Sequence, residues 1–366
     1  MTTLCDYPRL SAGGRSQRGP RWRSAHRLQP ARDPGIGRAV LQRASWKGDT
    51  PLVSAALRLG ISLWPQGVTW QEVRSTSVRV DELAYDSLWS YDHFIALGAD
   101  PTSPVFDGWT TLAAVASLTS RARLGVLVTG VTHRNPAILA KMAATLDHVS
   151  GGRAILGMGG AWNEGEHWAY GIPFGPVGER LALLDEACTV IRSLFEDDVT
   201  TFDGKHCAVR NAVLWPKPLQ ARLPILIGGG GERKTLRIVA KHADLWNAFG
   251  TPDVVTHKLE ILRDHCSAVG RDPSSIGITV NVGVIVRDNA AAVQARLAEI
   301  GPVAGFPDYA ASNQPYGSPE KVAQRLAEYA KAGVSEVIAV MPAPYDDETI
   351  ERLVTEVRPQ INALLS

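Results

Sequence analysis

Two short segments of this 366-residue chain carry residue types at spacings that can do chemistry. The first is Trp89-Ser90-Tyr91-Asp92-His93-Phe94, a carboxylate beside an imidazole just past a short apolar run. Histidine exchanges protons near neutral pH, so His93 is a candidate acid or base. The same Asp92–His93 pair also reads as a hydrogen-bonded structural cap, and the sequence favours neither reading. The second segment is Leu226-Ile227-Gly228-Gly229-Gly230-Gly231, followed by Glu232-Arg233-Lys234-Thr235-Leu236. Residues 224–227 read as a buried strand. The glycines leave no side chain between backbone and ligand. A helical face of Leu236, Val239 and Ala240 starts at once. Unpaired N–H groups and the positive end of the helix dipole then point into the loop, which makes it an anion site. The expected guest is a phosphate of a cofactor or a sugar. The plainer alternative is a tight turn whose glycines serve packing alone.

Two weaker segments stand beside these. Leu127-Val128-Thr129-Gly130-Val131-Thr132 offers a polar Thr129 and a glycine that permits close approach. Gly157-Met158-Gly159-Gly160-Ala161-Trp162-Asn163-Glu164 offers Asn163, able to donate and accept. Trp64, Trp89, Trp162 and Trp246 follow or end strand candidates, where each packs a core or all line a pocket for a flat ring. No G-x-S-x-G elbow or H-E-x-x-H is present, and His133, His167 and His206 lack metal-ligand spacing, so no metal is expected.

The elements that must position these residues alternate from residue 57 onward. Strands are predicted at 57–63, 87–90, 123–128, 153–156, 224–227, 244–246, 276–286 and 335–340. Helices are predicted at 70–83, 112–118, 137–149, 181–195, 233–242, 252–268, 288–300, 319–332 and 347–364. Strict alternation means a parallel sheet. A dinucleotide fold would place its glycine loop after the first strand, which here runs into Trp64-Pro65-Gln66-Gly67. The glycine loop comes instead after about the fifth strand, as in barrels that bind phosphate at their C-terminal face. The predicted class is therefore α/β, a (β/α)8 TIM barrel with insertions. One insertion is a hairpin-like stretch at 201–214. Another is the loop 157–179, which holds Trp162, His167, Trp168, Tyr170 and Phe174 and is long enough to be functional.

Bulk properties narrow the field. Apolar content of 45% can bury a core, and a net charge of +1 points to neither nucleic acid nor a membrane surface. No apolar run is long enough to span a bilayer. Four scattered cysteines (Cys5, Cys188, Cys207, Cys266) fit a reducing cytoplasm. Residues 1–50 hold nine arginines and one lysine against three aspartates and show no apolar periodicity. They read as a disordered basic extension, or as a stretch upstream of a natural start near Leu57, with the barrel domain over 51–366.

These segments resemble the bacterial luciferase-like superfamily, and within it the coenzyme F420-dependent (deazaflavin) oxidoreductases. The resemblance rests on Arg58-Leu59-Gly60-Ile61, residues 85–94, 124–136, and Lys141-Met142-Ala143-Ala144-Thr145-Leu146-Asp147 running into Gly151-Gly152-Arg153. It continues through residues 157–166, Tyr170-Gly171-Ile172-Pro173-Phe174, Glu179-Arg180-Leu181 and the glycine loop. It implies a (β/α)8 barrel, usually dimeric, that acts on a small-molecule substrate. It implies that Asp92 contacts the deazaflavin and that His93 lies beside the reactive ring. Leu127 and Val128 would fall at the family's non-prolyl cis peptide under the ring. Thr129 and Asn163 would bind the cofactor, and Gly228, Gly229, Gly230, Gly231 and Arg233 its phosphate. The sugar-phosphate dehydrogenases of this branch carry a catalytic glutamate in the fourth-strand loop. Trp162 stands about there, with Glu164 and Glu166 offset, so the resemblance leaves the substrate open. An FMN-dependent monooxygenase using O2, and a barrel that binds cofactor without turnover, are the alternatives.

Overall fold

The computed structural model describes residues 56–98, 100, 102–301 and 314–366, so the extension read over 1–50 lies outside the described residues. Eight strands form the barrel: β1 (Arg58–Leu63), β2 (Ser87–Ser90), β3 (Arg123–Val126), β4 (Ala154–Gly159), β5 (Ile225–Gly228), β6 (Leu245–Ala248), β7 (Gly277–Gly283) and β8 (Glu336–Met341). Every neighbour pairs in parallel, and the β1–β8 and β3–β4 pairings close the ring. Such strands are buried on both faces, which is why they read as runs such as Ile225-Leu226-Ile227 rather than as alternation. Inside the ring, Trp89, Ile155, Leu226, Leu245 and Ile338 form a separate apolar plug, with Leu127 and Val128 packed against it.

Helices α1 (Trp70–Glu82), α2 (Gly108–Leu118), α3 (Pro136–Ser150), α4 (Glu164–Ala169), α5 (Val177–Glu196), α6 (Thr235–His242), α7 (Pro252–Ala268), α8 (Ala290–Ile300) and α9 (Pro319–Lys331) connect the strands. Their starts are written in the sequence. Thr69 and Glu72 form a capping box on α1, and Asn135 with Pro136 and Ser318 with Pro319 open α3 and α9. The 201–214 stretch contains an antiparallel hairpin of Thr200–Asp203 and Ala208–Ala212. No helix among the described residues is long and apolar enough to cross a membrane.

Several element boundaries differ from the sequence reading, three of them with a clear physical reason. β4 runs on to Gly159, because Gly157 and Gly159 serve as strand residues. A Cβ on Gly157 would meet the Val126 carbonyl oxygen at 1.9 Å, so only glycine lets β4 lie this close to β3. The stretch 276–286 splits into β7 and Ile285–Val286, which leaves the barrel to pair with Tyr316–Gly317. The last helix is interrupted by a π turn at Leu353–Val357, ahead of Pro359, which has no N–H to continue the α pattern.

Asp81 ties α1 to the start of β3. Its buried carboxylate accepts the N–H groups of Ser120, Arg121 and Ala122 at 2.8–2.9 Å. Burial pushes this carboxyl up, but the three N–H donors and the Arg153 charge together hold it below its usual 3.8. Asp81→Ala strands those donors and lowers unfolding free energy by about 3 kcal/mol, read as a drop in urea midpoint. Because the folded value lies below the unfolded one, the contribution is complete above pH 3.8 and is lost as pH falls through the folded value.

Candidate functional site

A cavity of about 610 Å3 opens at the C-terminal ends of the barrel strands. Ser62 of β1, Gly159 of β4, Gly228 of β5, Asn247 of β6 and Asn281 of β7 face it, as do Tyr91 and His93 just past β2. Leu127 and Val128 form its floor against the apolar plug, and the peptide bond between them is cis. The Val128 side chain fits between two glycines. A Cβ would meet its methyls at 2.8 Å from Gly159 and 3.0 Å from Gly228. A flat group is thus offered an apolar floor and a glycine wall.

His93 is half-buried, with its ring set edgewise against Tyr91 at 5.2 Å and Trp162 at 5.4 Å. Its Nδ1 lies 3.2 Å from both oxygens of Glu166. Glu166 is fully buried on α4, which Asn163 caps through its side-chain oxygen. The Phe94 N–H donates to the same carboxylate at 2.6 Å, and His133 Nε2 stands 3.5 Å away. Burial raises the Glu166 carboxyl. The hydrogen bond and charge of His93, the Phe94 N–H and the charge of His133 outweigh that and leave it below its usual 4.5. An ionised carboxylate only accepts, so the His93 nitrogen that faces it, Nδ1, is the donor, and in the neutral ring Nε2 is then the acceptor. No hydrogen bond joins that Nε2 to another described residue. A buried carboxylate thus sets, from behind, which nitrogen of the neutral ring can accept.

The predicted site residues divide. His93, Leu127, Val128, Asn163, Gly228 and Gly229 line the cavity together. Asp92 does not line it: it is buried and paired with Arg134 at 2.5 and 3.0 Å, and Arg134 continues to Asp107. Thr129 is fully buried and accepts from Trp109 Nε1 at 2.8 Å, while Gly130 takes the cavity position beside it. Gly230, Gly231 and Arg233 lie along the outer part of the glycine loop, where Gly231 and Arg233 are exposed. Lys258 of α7 reaches that loop and donates to the Gly230 carbonyl at 2.8 Å. Of the four tryptophans, Trp64 and Trp162 line the cavity, whereas Trp89 and Trp246 are fully buried in the core.

The histidines that sequence spacing keeps apart meet in space. His133, Glu166 and His167 bring donor atoms within 4.8 Å of one another. Both His167 nitrogens are already engaged, Nδ1 with the Asn163 carbonyl at 2.7 Å and Nε2 with the Thr132 hydroxyl at 2.6 Å. Burial holds His167 below its usual 6.5. The three groups brace α4 against the loop after β3.

A family profile described as luciferase-like monooxygenase matches residues 52–343. The chain belongs to this family. Like other luciferase-like proteins, it is a closed barrel of eight parallel strands ringed by helices. A phthiodiolone/phenolphthiodiolone dimycocerosates ketoreductase of Mycobacterium tuberculosis is 32% identical over 249 residues, 62% of this chain and 64% of that protein. An F420-dependent secondary alcohol dehydrogenase, solved with an F420-acetone adduct, superposes with a TM-score of 0.72 at 19% identity, covering 84% of this chain and 99% of that one. A monooxygenase from Streptomyces bottropensis superposes with a TM-score of 0.70 at 20% identity, covering 85% of this chain and all (100%) of the other. At these identities the two structures establish the luciferase-like fold, which hosts both deazaflavin and monooxygenase chemistry.

Proposed function

We propose that this luciferase-like protein is a coenzyme F420-dependent oxidoreductase that interconverts an alcohol and its carbonyl form. The observation that carries the reading is His93 on the cavity above Leu127–Val128, its Nδ1 held by buried Glu166 and its Nε2 bonded to no described residue. The residues fit a deazaflavin. Gly159 and Gly228 let Val128 seat back between them, and a Cβ at either would push its methyls toward the ring space. Asn163 stands at its edge. Gly228, Gly229, Gly230 and Gly231 with Arg233 hold its phosphate, and Lys258 adds charge to the loop. Asp92 and Thr129 act one layer out, through Arg134 and Trp109.

When bound, the cofactor supplies two-electron chemistry, taking or giving the hydride of one C–H bond. His93 moves the accompanying proton at the substrate oxygen, through Nε2. Glu166 holds the ring and balances the imidazolium. Trp64, Tyr91, Leu97 and Trp162 exclude water. The ketoreductase relative supports this chemistry. The decisive assay mixes the protein with oxidised coenzyme F420 and a secondary alcohol without air, and follows loss of the deazaflavin's visible absorbance. Turnover seen only with reduced FMN and O2 would replace this reading with a monooxygenase.

Gly159→Ala tests the wall. The new methyl must push Val128 into the ring space, at an overpacking cost equivalent to about tenfold weaker cofactor binding. A fluorescence titration of the variant measures it.

A further inference from the structure

We infer that the cavity wall built by β1, β6 and β7 is the subsite for a neutral alcohol or ketone that carries an apolar body. The inference deepens the function proposed above, and only its link to turnover rests on that reading.

In the eight-stranded ring β7 stands opposite β3 and β1 opposite β5, with β6 beside β5, and Val128, Gly159 and Gly228 bound the cavity on the facing side. Two carboxamides stand on it with acceptors that nothing in the protein satisfies. Asn247 is 1% exposed; its Nδ2 donates to the Thr279 hydroxyl at 2.9 Å, and its Oδ1 has no partner. Asn281 is two residues beyond Thr279 along β7 and so on the same face. Its Oδ1 is also buried and unpaired, and its side chain makes no hydrogen bond with a described residue. A buried unpaired acceptor costs free energy unless a ligand donor meets it. A hydroxyl is such a donor, and the free Asn281 amide can turn its N–H to a carbonyl instead.

Charge and surface complete the description. Among the described lining residues there is no Lys or Arg, and the acidic Glu166 is already paired. A phosphate or carboxylate on the substrate would enter with no Lys or Arg among the described lining residues to meet it. At the mouth, Trp162 and Phe249 line the cavity while remaining 57% and 43% exposed. Large exposed aromatics on a cavity rim fit an apolar chain or ring. The substrate's oxygen therefore sits between His93 and the Asn pair, and its apolar body leaves past Trp162 and Phe249.

The test is calorimetric titration of the full-length protein, with and without coenzyme F420, using 2-decanol, decanoate and glucose 6-phosphate. The 2-decanol is expected to bind at least about tenfold more tightly than either anion. Asn281→Leu, which breaks no hydrogen bond within the described protein, is expected to weaken 2-decanol about tenfold and leave coenzyme F420 binding unchanged. Phe249→Ala is expected to weaken 2-decanol while leaving 2-propanol unaffected. Decanoate or glucose 6-phosphate binding as tightly as 2-decanol would overturn the inference, as would loss of cofactor instead of alcohol in Asn281→Leu. Binding of 2-decanol without either coenzyme F420 or FMN keeps the subsite and removes the proposed reaction. Coenzyme F420 binding without 2-decanol binding removes the subsite and keeps the reaction.

Discussion

Glu166→Gln lowers turnover about a thousandfold while leaving the fold and cofactor binding in place. The reason is directional. The Phe94 N–H points at this side chain from 2.6 Å and must meet an acceptor, so the glutamine carbonyl oxygen takes that position. The glutamine NH2 then faces His93 Nδ1 and donates to it. Donation to Nδ1 favours the opposite tautomer, with its proton on Nε2 and no lone pair toward the cavity. The 15N resonances of His93 in the protein without cofactor report this directly, moving from Nδ1–H in the wild type to Nε2–H in the variant. A purely structural role for Glu166 would change stability without exchanging the tautomer. Wild-type turnover in Glu166→Gln would remove the pair from the mechanism.

His93→Ala removes the base itself, and turnover is expected to fall between about a hundredfold and ten-thousandfold. Cofactor affinity is expected to change less than about threefold, because the floor and the glycine wall are untouched. Steady-state turnover and a binding titration separate the two effects. The double variant His93→Ala/Glu166→Gln should be no slower than His93→Ala alone, since Glu166 acts through the imidazole. Additive losses would mean that Glu166 touches the substrate independently. Unchanged turnover in His93→Ala would assign the proton to another group.

The barrel was legible because parallel strands buried on both faces leave short apolar runs, and because the glycine loop falls late in the order. His93 was legible from its place after β2, and Leu127–Val128 from the family resemblance. What escaped the sequence reading is tertiary. Glu166 is 73 residues from His93, on a helix of six residues that is too short to show a periodic face. Asn247 and Asn281 sit inside buried strands, where a lone polar residue gives no signal of the cavity it faces. Lys258 reaches the glycine loop from a helix 28 residues on. Gly157 and Gly159 read as loop because glycine is a poor strand residue, yet the close approach of β3 requires glycine at 157 and the seating of Val128 requires it at 159. Asp92 and Thr129 lie at the expected strand ends, but their side chains turn to Arg134 and Trp109, a choice that local sequence does not encode.

The most direct test of the central claim is a fluorescence titration of the purified protein with coenzyme F420 and, separately, with FMN. The cavity, its glycine wall and the basic outer loop predict tight binding of coenzyme F420 and weak binding of FMN. Tight FMN with weak coenzyme F420 would contradict the deazaflavin assignment and place the protein among the flavin monooxygenases, and binding of neither would show that the glycine loop serves another ligand.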